Sequence, residues 1–430
     1  MLENAVVTLR QPGSVDDVLT DLLRDGARQL LAQAIEMEVE VALGEHAHLR
    51  TDDGRRRLVR HGHGPERQIL TGIGPLPVRR AKLRDRGASD GGERIRFTSV
   101  ILPLFARRTR SLDAVLPVLY LRGISSGDFQ EALSALLGKD APALSAQALS
   151  RLKAEWAGEH DRWRQRDLSA RRYVYLWADG VYLQGRMEHE KQCLLVIIGA
   201  TPEGRKELVG FQAGYRESTQ SWRELLADLK ARGLTAAPDL AVGDGALGFW
   251  KALDEVFPRT RHQRCWMHKT GNVLNKLPKP LRKPAKADIH HIWMAESRAD
   301  ATAALDRFAA KYEKKYQPAV ACLTKDRDAL LAFYDLPAEH WVHLRTTNPI
   351  ESVFATVRHR TVRTKGCLSH ATAVAMVFKL IVAAARSWRV LKGSNQLPKL
   401  IQGVKFRDGI EVIEINHNAA ARSAVTQVRA

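Results

Sequence analysis

The sequence predicts an α/β core set among basic and helical segments, and three observations lead to it. Tyr173-Val174-Tyr175-Leu176-Trp177-Ala178 is a nearly continuous apolar run, as a strand buried on both faces requires. Cys193 to Gly199 and Leu208-Val209-Gly210-Phe211 flank the turn Thr201-Pro202-Glu203-Gly204 and read as antiparallel neighbours. Helical stripes then bracket a fourth short strand, Leu240-Ala241-Val242. The first stripe, Trp222, Leu225, Leu226 and Leu229, opens on a capping box from Ser221 to Glu224 and closes at Gly233. The second, Phe249, Leu253, Val256 and Phe257, stops at Pro258.

The other segments follow from charge and spacing. Residues 1–49 hold three Arg against nine acids, with Leu19, Leu22, Leu23, Leu30, Leu31 and Ile35 at helical intervals. This is a helical segment, either for self-association or packed within one subunit. Residues 50–125 reverse the balance, with seventeen Lys and Arg against seven acids. Within them, 50–110 is a basic DNA-binding region with a small β element at Gln68-Ile69-Leu70-Thr71 and Leu76-Pro77-Val78. Over 111–160, Leu112, Val115, Leu116 and Leu119 lead to the turn Arg122-Gly123-Ile124-Ser125. A second helix carries Phe129, Leu133 and Leu136, and a third carries Gln147, Arg151 and Lys153. Helix, glycine turn, helix fits a helix-turn-helix, a pattern shared with other small helical hairpins. Residues 171–265 form the first part of the core. Residues 266–345 are polar and helical, interrupted by the run Pro278 to Pro284, and read as an insertion. Residues 346–405 return to the core with two helices, and 406–430 read as a tail.

A length of 430 residues exceeds one compact core and suggests roughly two to four domains. The formal net charge of +19 implies a polyanionic partner, nucleic acid first and acidic membrane second. No stretch reaches the ~20 apolar residues needed to span a bilayer; Ala371 to Ala385 is too short and broken by Lys379. The N-terminus carries Glu3 and lacks an apolar signal core. Cysteines 193, 265, 322 and 367 form no Cys-x-x-Cys pair, so a disulfide framework is not expected and a reducing cytoplasm fits.

Carboxylates carry the chemistry. Glu351 is the only acid between Glu339 and Asp408, and ten Lys and Arg lie from Thr346 to Lys405. A surface that holds polyanions gains nothing from one carboxylate, whereas a metal ion facing a phosphate needs one. Asp179 and Asp244 each follow an expected strand and precede glycine. If the two strands are adjacent and parallel, these side chains converge in the crevice at the carboxyl ends. Charges ~4 Å apart repel by about 4 kcal/mol at an effective dielectric near 20. Three such acids must protonate or share a hard divalent cation, and two Mg²⁺ ions can clamp an in-line phosphoryl displacement. Taken singly, an Asp-Gly at a strand end is more often a turn.

Asp179-Gly180-Val181-Tyr182, Asp244-Gly245, Arg264-Cys265-x-x-His268 and Thr346-Thr347-Asn348-x-x-Glu351 together resemble the Mutator-type family of bacterial insertion-sequence DDE transposases. Leu119-Tyr120-Leu121-Arg122-Gly123-Ile124-Ser125 resembles that family's helix-turn-helix entry, and the likeness covers roughly residues 40–400. The resemblance implies an RNase H-like mixed-sheet catalytic domain interrupted by an all-helical insertion. It implies strand cleavage at element ends and transfer of the freed 3′ hydroxyl to target DNA. Asp179, Asp244 and Glu351 would then be catalytic metal ligands for two Mg²⁺, or Mn²⁺ in their place. Double-stranded DNA, as terminal repeats and target, is the implied partner, with a homodimer or larger assembly on it and no membrane. Expected DNA contacts are Arg79, Arg80, Lys82, Arg84, Arg107, Arg108, Arg358, Arg360, Arg363 and Lys365. Arg358 lies two helical turns after Glu351, on the same face.

Cys265, His268 and Asn348 are expected to support the site. Cys265 and His268 also admit zinc, with His262, His290 and His291 as further ligands, or plain packing. Trp266, Trp293 and Trp341 read more often as core anchors than as base-stacking groups, with Trp341, ten residues before Glu351, the best placed of them to touch flipped or splayed DNA. Two other functions remain: a DNA-binding regulator with a decayed catalytic domain, and an RNase H-like nuclease or resolvase that cuts without joining.

Overall fold

The computed structural model describes residues 18–87, 94–109, 146–183, 192–214, 216–245, 247–363 and 370–413, with isolated positions between 111 and 133. The chain divides into two compact units, 1–152 and 153–430.

In the first unit, helix α1 (Val18–Glu45) lies on a hairpin of β1 (Leu58–Thr71) and β2 (Gly74–Asp85). The strands are far longer than the two short runs suggested. On β2, Leu76, Val78 and Ala81 are buried while Arg79, Lys82 and Arg84 face out, so basic residues extend the strand as its solvent side. Ile35 and Val39 of α1 join Ile69, Val78, Ala81 and Leu102 in a small core, with Leu31 packed against it. Leu19, Leu22, Leu23 and Leu30 stay exposed, so packing within the subunit accounts for one face of α1 only. Arg57 holds the buried Asp85 by two 3.0 Å hydrogen bonds, and this guanidinium keeps the Asp85 carboxyl well below the usual range. The expected helix-turn-helix falls mostly outside the described residues; of its helices, α2 (Ala146–Arg164) is the one described in full.

The second unit is built on a five-stranded mixed sheet. Its strands are β3 (Tyr175–Leu183), β4 (Gln192–Ala200), β5 (Lys206–Gly214), β6 (Leu240–Gly243) and β7 (Arg261–Arg264), in the order β5-β4-β3-β6-β7. The β3–β4 and β4–β5 pairs are antiparallel, and β3–β6 and β6–β7 are parallel. Helices α3 (Thr219–Ala231) and α4 (Leu247–Val256) bury Trp222, Leu225, Leu229, Phe249 and Leu253 against Leu176, Leu195 and Ile197 of the sheet. Residues from the helical segments cover the other side: Tyr175 bonds His340, and the Trp177 indole donates to the His343 carbonyl. Cover on both sides explains the unbroken apolar run in β3.

Two local expectations shift. Helix α3 is capped by Ser218, whose hydroxyl accepts from the Ser221 amide, so it starts before the expected capping box. Glu224 instead accepts from Gln220. Strand β7 reads as polar because it lies at the sheet edge, and its one fully buried polar side chain, Gln263, is satisfied by Leu330 and Phe333.

After β7 the chain is helical: α5 (Trp266–Leu274), α6 (Lys279–Trp293), α7 (Arg298–Thr324), α8 (Arg327–Leu331) and α9 (Trp341–Leu344). The proline run begins at the break between α5 and α6 and continues into α6, which holds Pro284 in its interior. Pro278 is the N-cap of α6, and Pro280 sits in its first turn, where no amide donor is needed. The excursion closes on itself, because the Trp266 amide donates to the Arg345 carbonyl at 2.9 Å. Helices α10 (Asn348–Arg363) and α11 (His370–Ala385) return to the sheet against β3 and β5 respectively. Beyond the short α12 (Leu397–Ile401), part of the expected tail folds as a hairpin, β8 (Phe406–Arg407) and β9 (Ile410–Glu411), turned by Asp408 and Gly409 at positive φ. No described helix is long and apolar enough to cross a membrane.

Candidate active site

The site grows out of unequal strand lengths at the sheet centre. Asp179 lies inside β3, opposite Val196 of β4, and not after the strand as its spacing suggested. On its other side the parallel pairing ends at Ala178 opposite Gly243, and the next residue of that chain is Asp244. Both aspartates therefore stand where β6 stops and β3 continues, at the carboxyl end of adjacent parallel strands. The Asp244 carbonyl is fixed twice, by the Trp250 indole at 2.9 Å and by the Arg264 guanidinium at 2.9 Å. That guanidinium stacks over Trp250 at 4.4 Å.

Glu217, which no motif flagged, completes this cluster. One ligand oxygen from each of Asp179, Glu217 and Asp244 lies within 4.8 Å of the others. Burial, then the charge of Asp244, pushes the Asp179 carboxyl up to about 7. Burial and Asp244 also raise Glu217, with hydrogen bonding from Tyr182 opposing. At this separation each ionised pair costs roughly 3–4 kcal/mol at an effective dielectric near 20. Three hard oxygen donors suit Mg²⁺ or Mn²⁺.

Glu351 stands in the first turn of α10 with different neighbours. The Thr347 hydroxyl donates to Glu351 Oε1 at 3.0 Å and lies 3.4 Å from His268 Nδ1. His268 Nε2 is 3.8 Å from the same carboxylate oxygen. The Thr347 amide donates to Cys265 Sγ at 3.4 Å. Cys265, His268 and Glu351 thus form a second group with donor atoms within 4.8 Å of one another. Hydrogen bonding to Cys265 raises His268 to about 9 despite burial, helped by the charges of Cys265, Asp179 and Asp244. Burial works against the Cys265 thiolate, but bonds from His268 and Thr347 pull the thiol below its usual value. A structural zinc takes four ligands, and among the described residues no fourth joins this group. His268 is the link between the clusters, since its charge acts on Asp179, Asp244 and Glu217.

The other expected site residues are scattered. Asn348 is exposed at the start of α10, and its amide donates to Thr346 Oγ1 at 3.4 Å. Arg358 is exposed on α10, Arg360 and Arg363 lie in the same helix, and Lys365 falls outside the described residues. In the first unit Arg79 pairs with Glu66, Arg80 donates to the Phe97 carbonyl, and Lys82, Arg84 and Arg107 are exposed. Arg108 is half-buried beside Leu70. Trp341 does not face solvent: it packs on Phe333 and Tyr334 and donates to the Leu336 carbonyl, so it is a core anchor like the buried Trp266. Cys193, Cys265 and Cys322 are free thiols.

Comparison with known proteins identifies the family. The transposase, Mutator family, model matches residues 3–405. The transposase for insertion sequence element IS6120 of Mycolicibacterium smegmatis is 53% identical over 298 residues, covering 69% of this chain and 92% of the relative. The transposase for IST2 of Acidithiobacillus ferrooxidans is 54% identical over 288 residues, covering 65% and 95%. A solved chain of the simian T-cell lymphotropic virus intasome with PP2A regulatory subunit B56 gamma aligns over 53% of this chain and 66% of its own, at 14% identity and TM-score 0.18, a likeness too loose to bear on the fold. With a family model spanning nearly its whole length, the chain belongs to the Mutator family of transposases.

Proposed function

We propose that the chain is a DDE transposase that cuts DNA at the ends of its element and joins the freed 3′ hydroxyl to target DNA. The observation that carries this reading is the meeting of Asp179 and Asp244 at the end of one parallel strand pair, with His268 linking them to Glu351. The strand order β5-β4-β3-β6-β7, antiparallel then parallel, supports an RNase H-like core, and the helices from Trp266 to Leu344 support an insertion within it. Asp179, Asp244 and Glu351 are the catalytic carboxylates, and double-stranded DNA is the substrate. The protein acts as a dimer or larger assembly in the bacterial cytoplasm, because two element ends must be held together.

A pair of bound Mg²⁺ ions, replaceable by Mn²⁺, would supply charge neutralisation at the scissile phosphate and an acidified water. The residues do the rest. Asp179 presents its oxygens from within β3 and Asp244 from just past the end of β6, and Arg264 and Trp250 hold the carbonyl of Asp244. Thr347 and His268 hold the Glu351 carboxylate in one orientation. Arg358, exposed on the same helix, and the basic face of β2 bind phosphates. Water attacks phosphorus, the P–O3′ bond breaks, and the released 3′ oxygen becomes the nucleophile of the joining step.

The test is strand cleavage of a duplex bearing an element end, with Mg²⁺, by Asp179→Asn, Asp244→Asn and Glu351→Gln. Each should lower cleavage by about 10³-fold or more, the scale of losing a principal electrostatic stabiliser, while end binding persists. Cleavage retained by any one of them removes that residue from the site.

A further inference from the structure

We propose that Glu217 is a fourth carboxylate of the site, sharing one divalent cation with Asp179 and Asp244, while Glu351 serves from the side of His268. This rests on the metal-dependent reading above and adds a ligand to it.

Two independent parts of the fold leave room for this one residue. A Cβ on Gly180, the neighbour of Asp179 in β3, would stand 2.4 Å from Glu217 Oε1 and 2.6 Å from its Cδ. A Cβ on Gly248, in the first turn of α4, would stand 2.5 Å from the Glu217 carbonyl and 2.8 Å from the Ser218 carbonyl carbon. Gly180 lets the carboxylate approach the strand, and Gly248 lets its backbone approach the helix that follows Asp244. The segment is held further by Ser218, which caps α3. Glu217 thereby reaches a position where its oxygen lies within 4.8 Å of ligand oxygens from both aspartates. Three buried or half-buried carboxylates at that range repel one another when ionised, and His268 is a cation that acts on all three. A divalent ion relieves the repulsion, and a third carboxylate lets the chain hold it before any DNA phosphate supplies oxygens.

The experiment measures Mn²⁺ binding to the full chain without DNA, by the electron paramagnetic resonance signal of free Mn²⁺, alongside thermal unfolding with and without Mn²⁺. Glu217→Gln should weaken Mn²⁺ binding by about 10–100-fold, the range seen when metal-site support is removed, and Glu217→Asp should recover part of it. Glu217→Gln should also raise the unfolding midpoint of the metal-free chain and shrink the rise that Mn²⁺ causes. Wild-type Mn²⁺ affinity in Glu217→Gln, with affinity abolished in Asp179→Asn, overturns the role of Glu217 and leaves the transposase reading standing. A lower unfolding midpoint with unchanged Mn²⁺ affinity makes Glu217 structural and overturns it as well. Wild-type affinity in Asp179→Asn too overturns the metal reading of the aspartates themselves.

Discussion

Asp179 lies within β3 and Asp244 just past the end of β6, at the centre of the sheet and close to a third acid. Glu351 sits on a helix turn, where Thr347 and His268 already satisfy one of its oxygens. The first cluster must hold a proton or a cation to relieve its repulsion, whereas in the second a hydroxyl and an imidazole already lie against one Glu351 oxygen. A site assembled from both halves has one part that demands a cation and one part preorganised to receive it. His268, charged near neutral pH by its bond to Cys265, supplies a provisional counter-charge to the first half while orienting the second.

Removing the link should show the contrast most strongly. His268→Ala takes away the counter-charge and the 3.8 Å neighbour of Glu351 together. Cleavage should fall on the order of 10–100-fold with DNA binding unchanged, as for supporting residues at metal sites. Cleavage kinetics within two-fold of wild type would mean that the clusters work independently.

The next effect is on stability. Burial and Asp244 hold the Asp179 carboxyl at about 7 against an ordinary 3.8. The folded chain keeps this proton where the unfolded chain has released it, so the metal-free protein loses stability as pH rises from about 4 to 7. The loss is on the order of a few kcal/mol, and Mg²⁺ should offset it above pH 7. Urea unfolding at pH 5 and pH 8 should show the slope in wild type and a flatter one in Asp179→Asn. Equal slopes in the two proteins would place the acid penalty elsewhere.

The smallest effect belongs to the first unit, where charge meets solvent freely. Lys82→Ala with Arg84→Ala should reduce the slope of log affinity against log salt by about 0.9 for each phosphate that the variant no longer neutralises. Fluorescence anisotropy on an end duplex across a salt series measures it, and an unchanged slope would free these residues from DNA contact.

Much of the second unit was legible because burial on both faces writes a continuous apolar run, as in β3 and β6. Polar strands were not legible: Arg261 to Arg264 pairs through its backbone at an edge, so its side chains carry no strand signal. The β1–β2 hairpin was shortened in the same way, its arginines being the outer side of a strand. Asp408-Gly409 between Phe406-Arg407 and Ile410-Glu411 was a readable hairpin signal that the nearby chain end obscured. At the site, Asp179, Asp244, His268 and Cys265 announced themselves by glycine or spacing. Glu217 did not, because a loop glutamate before a helix cap looks like any solvated acid. Its only trace was the glycine beside Asp179, whose need for space shows only once the partner is in place. Trp341 packs as the core anchor that its residue type favours, because nearness in sequence to Glu351 says nothing about which way an indole turns.

The bond from the Trp266 amide to the Arg345 carbonyl ties the two ends of the long helical excursion together at its root. Chain added to or removed from the far tips of those helices need not move Thr347 or Glu351 relative to His268, because the stem is clamped below them. The excursion can therefore change in size, or acquire new surfaces for handling nucleic acid, while the carboxylates keep their spacing. A fold with such a stem separates what may vary from what must stay fixed.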